Sequence, residues 1–174
     1  LAGELDAGGL LAYNYLAGEP ITGLSTGRPM TIRTPDSNFS LANFMRSQIF
    51  GVFATLSIGM EVLKTEGVEI SVMSAHGGIF RTAGVAQRLL AAAIEAPVSV
   101  STSASEGGAW GMAILASFAA SDHQDLGSYL NKEVFSGVKT ETSTATKEEI
   151  AGYQNYLARY TSGLAAVKTA AEQV

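Results

Sequence analysis

Hydrophobic positions along the chain change period several times, and each change marks an element. Residues 9–16, GLLAYNYL, form an apolar and aromatic run that suits a strand and ends at the turn-like AGEP. PMTIR (29–33) is a second short strand, closed by Thr34-Pro35. The polar group DSNFS then supplies N-cap candidates for a long helix. Along it Leu41, Phe44, Met45, Gln48, Val52, Leu56, Met60 and Leu63 recur every three or four residues, an apolar stripe broken only by Gln48. Gly51, Ala54 and Gly59 would let a neighbouring element pack close to this helix.

Gly67 ends the helix, and VEISVMS (68–74) reads as a strand. After the pair Gly77-Gly78 a helical pattern runs to about Glu95 and stops before Pro97. VSV (98–100) is another short strand, followed by the loop STSASEGG and an Ala-rich helix over 109–120. This β, α, β, α, β, α order with short connections predicts a partly parallel α/β sheet. Beyond Ser121 the pattern loosens: SDHQDLGSYLNKEVF is less regular and KTETSTATKEE reads as a polar loop. Thr146 and Glu149 have the spacing of a capping box. Ile150, Tyr153, Leu157, Tyr160, Leu164 and Val167 then form an apolar seam, too short for a coiled coil and better read as one helix packed on its own core. The division expected is a domain over 1–120 with a helical extension over 121–174 packed on it.

Composition narrows the classes. The chain has 174 residues, enough for one core, and is 47% hydrophobic. Its net charge of −5 and thinly spread Lys and Arg argue against a nucleic-acid surface. With no cysteine there is neither a disulfide framework nor a thiolate site, which suits a cytoplasmic location. LAGELDAGG carries acids where a signal peptide would be basic. IFGVFATLSIGM is bounded by Arg46 and Glu61 and falls short of the roughly 20 residues a bilayer needs, so it reads as a buried helix and no membrane is expected. The chain opens at Leu1 and not at methionine, which admits a processed chain or an excised fragment.

Chemistry concentrates at the glycines. Gly77 and Gly78 follow a strand and precede a helix, where bare backbone N–H groups favour an anion and let a ligand lie close. Arg81 could reach a phosphate, and Thr82 could cap the helix or meet a ligand. There is no GxGxxG and no GxxxxGK[ST], so from the spacing alone a plain turn is the better reading. A second pair in SEGGAWG (105–111) repeats the strand–Gly-Gly–helix unit, which puts both loops at the carboxyl ends of strands, where open α/β sheets bind ligands. Glu106 there could contact a ligand or simply favour a helix start. His76 reads as a base or, more simply, a hydrogen-bonded structural residue, and His123 as solvated. The two are too far apart for a metal site. Ser25 is a turn residue, and Met60, Met73 and Trp110 are packing residues.

Four stretches, GLLAYNYLAGEP, MRSQIFGVFATL, HGGIFRTAGVAQRLLAAAI and SEGGAWGMAILA, occur in an order that resembles the carboxyl half of FGGY carbohydrate kinases. YLAGE resembles that family's Tyr-Leu-x-Gly-Glu stretch, HGGIFRT its glycine-rich adenosine-binding turn, and EGGAWGMAI its Glu-x-x-Ala-x-Gly-x-Ala helix start. The similarity is greatest to ribulokinase-like and xylulokinase-like members and spans about residues 8–120. It implies an actin-like, ribonuclease-H-like α/β fold, present in part, and ATP- and Mg²⁺-dependent transfer of phosphate to a sugar hydroxyl. By the same resemblance Gly77 and Gly78 would lie against adenosine or the α-phosphate, with Thr82 near the nucleotide.

The departures are specific. Phe50-Gly51 stands where the family usually has Glu-Gly, and His76 stands where a small residue is commoner. The resemblance places the catalytic aspartate and the sugar site in a half upstream of this chain, so no catalytic or metal-binding residue is assigned here. ATP and a sugar are the expected partners, a homodimer stays open, and the chain alone is expected not to turn over sugar. Two alternatives remain, a non-catalytic interaction module and an actin-like phosphotransferase with a non-sugar substrate.

Overall fold

The segments that carry the apolar runs do become the ordered elements. A computed structural model describes residues 3–82, 84–101 and 107–173. Strand β1 (Leu11–Tyr13) pairs antiparallel with β2 (Met30–Ile32), Leu11 opposite Ile32. Helix α1 (Leu41–Thr65) follows, capped by the Ser40 side chain, which accepts from the Asn43 N–H. Next come β3 (Met73–Ala75), α2 (Val85–Ile94), β4 (Val98–Ser101) and α3 (Gly107–Ala119). Short α4 (Leu126–Tyr129) runs into a wide turn at Leu130–Val134, and β5 (Thr140–Ser143) and α5 (Lys147–Gln173) complete the order. β3 and β4 are parallel, with Ala75 opposite Val100, and β5 joins the far edge of β4 antiparallel. The parallel part of the fold is therefore the β3–β4 pair, and β1–β2 forms a separate ladder.

Two sequence expectations change. The run 68–74 yields a strand only from Met73, because β4 offers ladder partners only from Val98 onward; Val68 and Val72 stay about half exposed. Within KTETSTATKEE, Thr140–Ser143 is a strand, since the β4 edge needs a partner and threonine suits a pleated ladder. Gln87, buried on α2, stitches this edge by donating to the Val98 and Glu141 carbonyls at 2.8 and 2.7 Å.

The core does not form on the expected stripe of α1. Leu41, Met45, Val52, Leu56 and Leu63 are exposed, and the buried face runs through Asn43, Ser47, Phe50, Gly51, Ala54 and Ser57. Close approach decides this. Gly51 lies directly against the Ala12 carbonyl of β1, a contact that no larger residue on the helix could make. The polar members of that face are satisfied: Asn43 accepts from the Glu4 N–H and donates to the Asn38 carbonyl, and Ser57 donates to the Ala93 carbonyl. Burial of such groups is then inexpensive.

α5 packs against β1, α1 and α2 through Tyr153, Tyr156, Tyr160, Leu164 and Val167, all buried. Their hydroxyls are engaged: Tyr153 meets Ser57 at 2.8 Å, Tyr156 donates to the Ser47 carbonyl, and Tyr160 donates to Tyr15. Burial pushes the phenol pKa values of all three tyrosines upward. The capping box forms as spaced: the Thr146 N–H donates to the Glu149 carboxylate at 2.8 Å and the Glu149 N–H to the Thr146 hydroxyl at 3.3 Å. A Thr146→Ala chain is expected to lose about 1 kcal/mol of stability, read as a lower urea midpoint, and Thr146→Ser to lose little of it.

Candidate functional site

Because β3 and β4 run parallel and in register, their carboxyl ends lie on the same side. His76-Gly77-Gly78 follows directly on β3. Gly77 has φ 116° and ψ 168°, a conformation open in practice to glycine alone. Gly78 has no such constraint, and a Cβ added there would meet nothing within 4 Å. The turn therefore requires Gly77 but not Gly78. Gly108 and Gly111, inside α3, likewise face open space in an ordinary backbone conformation, where alanine would favour the helix by about 1 kcal/mol.

The glycines do not open α2 directly. Residues Gly78–Arg81 form a tight 3₁₀ turn, with the Phe80 N–H donating to the Gly77 carbonyl at 3.1 Å. α2 begins only at Val85, its N-cap being Gly84 at φ 73°. Thr82 thus ends the 3₁₀ turn and does not cap α2, contrary to one expectation, because α2 starts three residues further on with Gly84 as its N-cap. Gly77, Gly78, Arg81 and Thr82 consequently share one surface strap beside the strand ends, Gly77 half-buried and the rest exposed. Glu106 lies outside the described residues.

Gly107 of the second glycine pair meets this first segment. A Cβ on Gly107 would stand 2.7 Å from the His76 Cβ, so the start of α3 rests on the histidine. Between them opens a cleft of about 530 Å³, within the roughly 300–1,000 Å³ typical of small-molecule sites. His76, Trp110, Met112, Leu126, Leu130 and Phe135 line it. Trp110 and Phe135 meet edge to face, centroids 5.8 Å apart. Trp110 is therefore a cleft wall as well as a packing residue. Leu126, Leu130 and Phe135 come from the segment that looked irregular; their four- and five-residue steps were the available signal. His123 is half-buried with its ring 5.1 Å from that of Tyr129, not solvated, since α4 folds back beneath it.

Two other hollows have polar groups already committed to one another. In one, of about 690 Å³, Arg159 donates to Asp6 at 2.8 Å. Burial raises the Asp6 carboxyl pKa, but the Arg159 and Gly8 hydrogen bonds outweigh it and hold the group below its usual range. In the other, of about 210 Å³, Glu95 accepts from Gln154 at 2.7 Å and from Lys64 at 3.3 Å. Among the described residues no group of three or more His, Cys, Asp or Glu could hold a metal ion. Nor is any described helix long and apolar enough to cross a membrane.

Residues 1–120 match the family model described as the FGGY family of carbohydrate kinases, C-terminal domain. The chain belongs to this family. Similar solved structures include a gluconate kinase from Lactobacillus acidophilus, at TM-score 0.72 and 19% identity, covering 98% of this chain and 34% of that one. A xylulose kinase from Rhodospirillum rubrum gives 0.67 and 17%, covering 98% and 33%. A ligand-bound xylulose kinase from Lactobacillus acidophilus gives 0.66 and 20%, covering 97% and 34%. At these identities the likeness establishes the fold alone, the actin-like fold of an FGGY carboxyl-terminal domain. The chain spans about a third of the length of these kinases. No curated protein sequence matches it.

Proposed function

We propose that this FGGY chain is the nucleotide-holding part of a carbohydrate kinase that passes the γ-phosphate of ATP to the hydroxyl of a pentulose-type sugar. The observation that carries the reading is Gly78: neither backbone angle nor crowding calls for glycine there, so the missing side chain leaves room for a ligand. The backbone N–H groups of Gly77 and Gly78 would donate to phosphate oxygens, and Arg81 on the same strap adds positive charge. The cleft whose walls include the Trp110–Phe135 aromatic pair would take the flat base. Phosphoryl transfer depends on positioning and charge neutralisation more than on covalent help from the protein. Mg²⁺ has no ligand set among the described residues and would arrive on the phosphates of the nucleotide. Because the solved relatives are about three times as long, the sugar pocket and the catalytic base are assigned to the remaining length of such a kinase.

Trp110 is the single tryptophan of the chain, so its fluorescence reports on the cleft without labelling. A saturable change on adding Mg-ATP, absent with inorganic tripolyphosphate, is expected. No change at millimolar ATP counts against the reading. A second reading, a non-catalytic interaction module, draws on α3, whose Met112 and Leu115 are exposed on an apolar helix with no buried residue.

A further inference from the structure

We infer that His76 is the residue that recognises the ribose hydroxyls, and so separates nucleotides that carry them from nucleotides that lack them at this site. The inference rests on the nucleotide reading above and deepens it. Three observations place His76 between the two halves of the ligand. It is the residue directly before Gly77, whose positive φ turns the backbone out towards the strap. Its Cβ is fixed against Gly107, where glycine is required because any side chain would collide with the histidine. It lines the same cleft as Trp110 and Phe135. A group that joins phosphates on the strap to a base in the cleft passes this ring, and in a nucleotide that group is the ribose.

The chemistry of the lining supports the same role. Among the described residues of the cleft, His76 is the sole titratable side chain, and the other walls are aliphatic, aromatic or glycine. Trp110 can only donate a hydrogen bond, and methionine sulfur is a weak acceptor. A neutral imidazole both donates and accepts, as a ribose hydroxyl does. A 2′- or 3′-hydroxyl that enters the cleft therefore has one strong side-chain partner, and a nucleotide without those hydroxyls leaves it unused. Sites that hydrogen-bond a hydroxyl discriminate against analogues that lack it.

The test is calorimetric titration of the folded chain with Mg-ATP, Mg-2′,3′-dideoxy-ATP and tripolyphosphate, for the native sequence, His76→Ala, His76→Asn and Gly107→Ala, with melting curves for each. The native chain is expected to prefer ATP over dideoxy-ATP about tenfold, one good hydrogen bond. His76→Ala should bring that ratio close to one while tripolyphosphate binds as before. His76→Asn, which keeps a donor and an acceptor, should restore part of the preference, and Gly107→Ala, which displaces the ring, should reduce it. A folded His76→Ala chain with an unchanged ratio, or a native chain that binds both nucleotides alike, overturns the inference and leaves the nucleotide reading standing. A native chain that binds no nucleotide overturns both.

Discussion

A chain carrying Gly51→Ala is expected to unfold at a clearly lower temperature than the native chain, with a net loss of about 2 kcal/mol or more. Alanine is the better helix former and alone would contribute about 1 kcal/mol in the opposite direction. The added methyl, however, runs into the carbonyl oxygen of Ala12, a backbone atom of β1 that cannot swing aside as a side chain would. Either α1 moves off β1, and the contacts beneath Phe50 and Ala54 open, or the strand bends and its ladder to β2 weakens. Over-packing of this kind costs about 1–3 kcal/mol, and rigid neighbours set the upper end. For a chain of this length each kcal/mol moves the midpoint by about 2–4 °C. Gly59→Ala on the same helix is the control. There the nearest atom is the Ile21 Cδ1 at 3.2 Å, the tip of an exposed side chain, so the change should be neutral or mildly stabilising. Equal melting temperatures for the native and Gly51→Ala chains would mean that α1 and β1 are not packed as described.

The second large effect is on binding. Gly78→Val should leave the melting curve nearly unchanged, because the new side chain points into open space on an unstrained backbone. It should nevertheless weaken Mg-ATP binding by about a hundredfold, or roughly 2.8 kcal/mol, by occupying the volume proposed for the phosphates. Gly77→Val separates the two roles of the pair. Its φ of 116° strains any L side chain, so a fall of about 1–3 kcal/mol in stability should accompany the loss of binding. A folded Gly78→Val chain that binds ATP as the native chain does would contradict the placement of the phosphates against this strap and count against the kinase reading.

Much of this architecture is legible in the sequence, for reasons that differ by element. α2 is bracketed by glycines and Pro97, and α5 carries both a capping box and a regular seam, so local signals suffice for each. The parallel β3–β4 pair follows from a short strand–helix–strand unit. Sequence reading fails where tertiary contacts overrule local pattern. On α1 hydrophobicity points to Leu41, Met45 and Val52, yet the core takes the face with Gly51, Ala54 and Ser57, because closeness to β1 and satisfied polar groups outweigh side-chain apolarity. β5 is hidden because Thr140–Ser143 is polar and becomes a strand only beside β4. At the site, the glycine pairs and their place at strand ends are readable. The cleft wall is not, because Leu126, Leu130 and Phe135 join Trp110 around the cleft only after the chain folds back on α3.

The central claim is that the two glycine segments exist to hold a nucleotide. The most direct measurement is a titration of the isotopically labelled chain with Mg-ATP, following backbone amide shifts. The account predicts saturable shifts centred on Gly77, Gly78, Gly107 and Gly108, with the Trp110 indole N–H moving in step and the buried amides of α5 unmoved. Amides at these glycines that stay still at millimolar Mg-ATP, or shifts that centre elsewhere on the molecule, would contradict it.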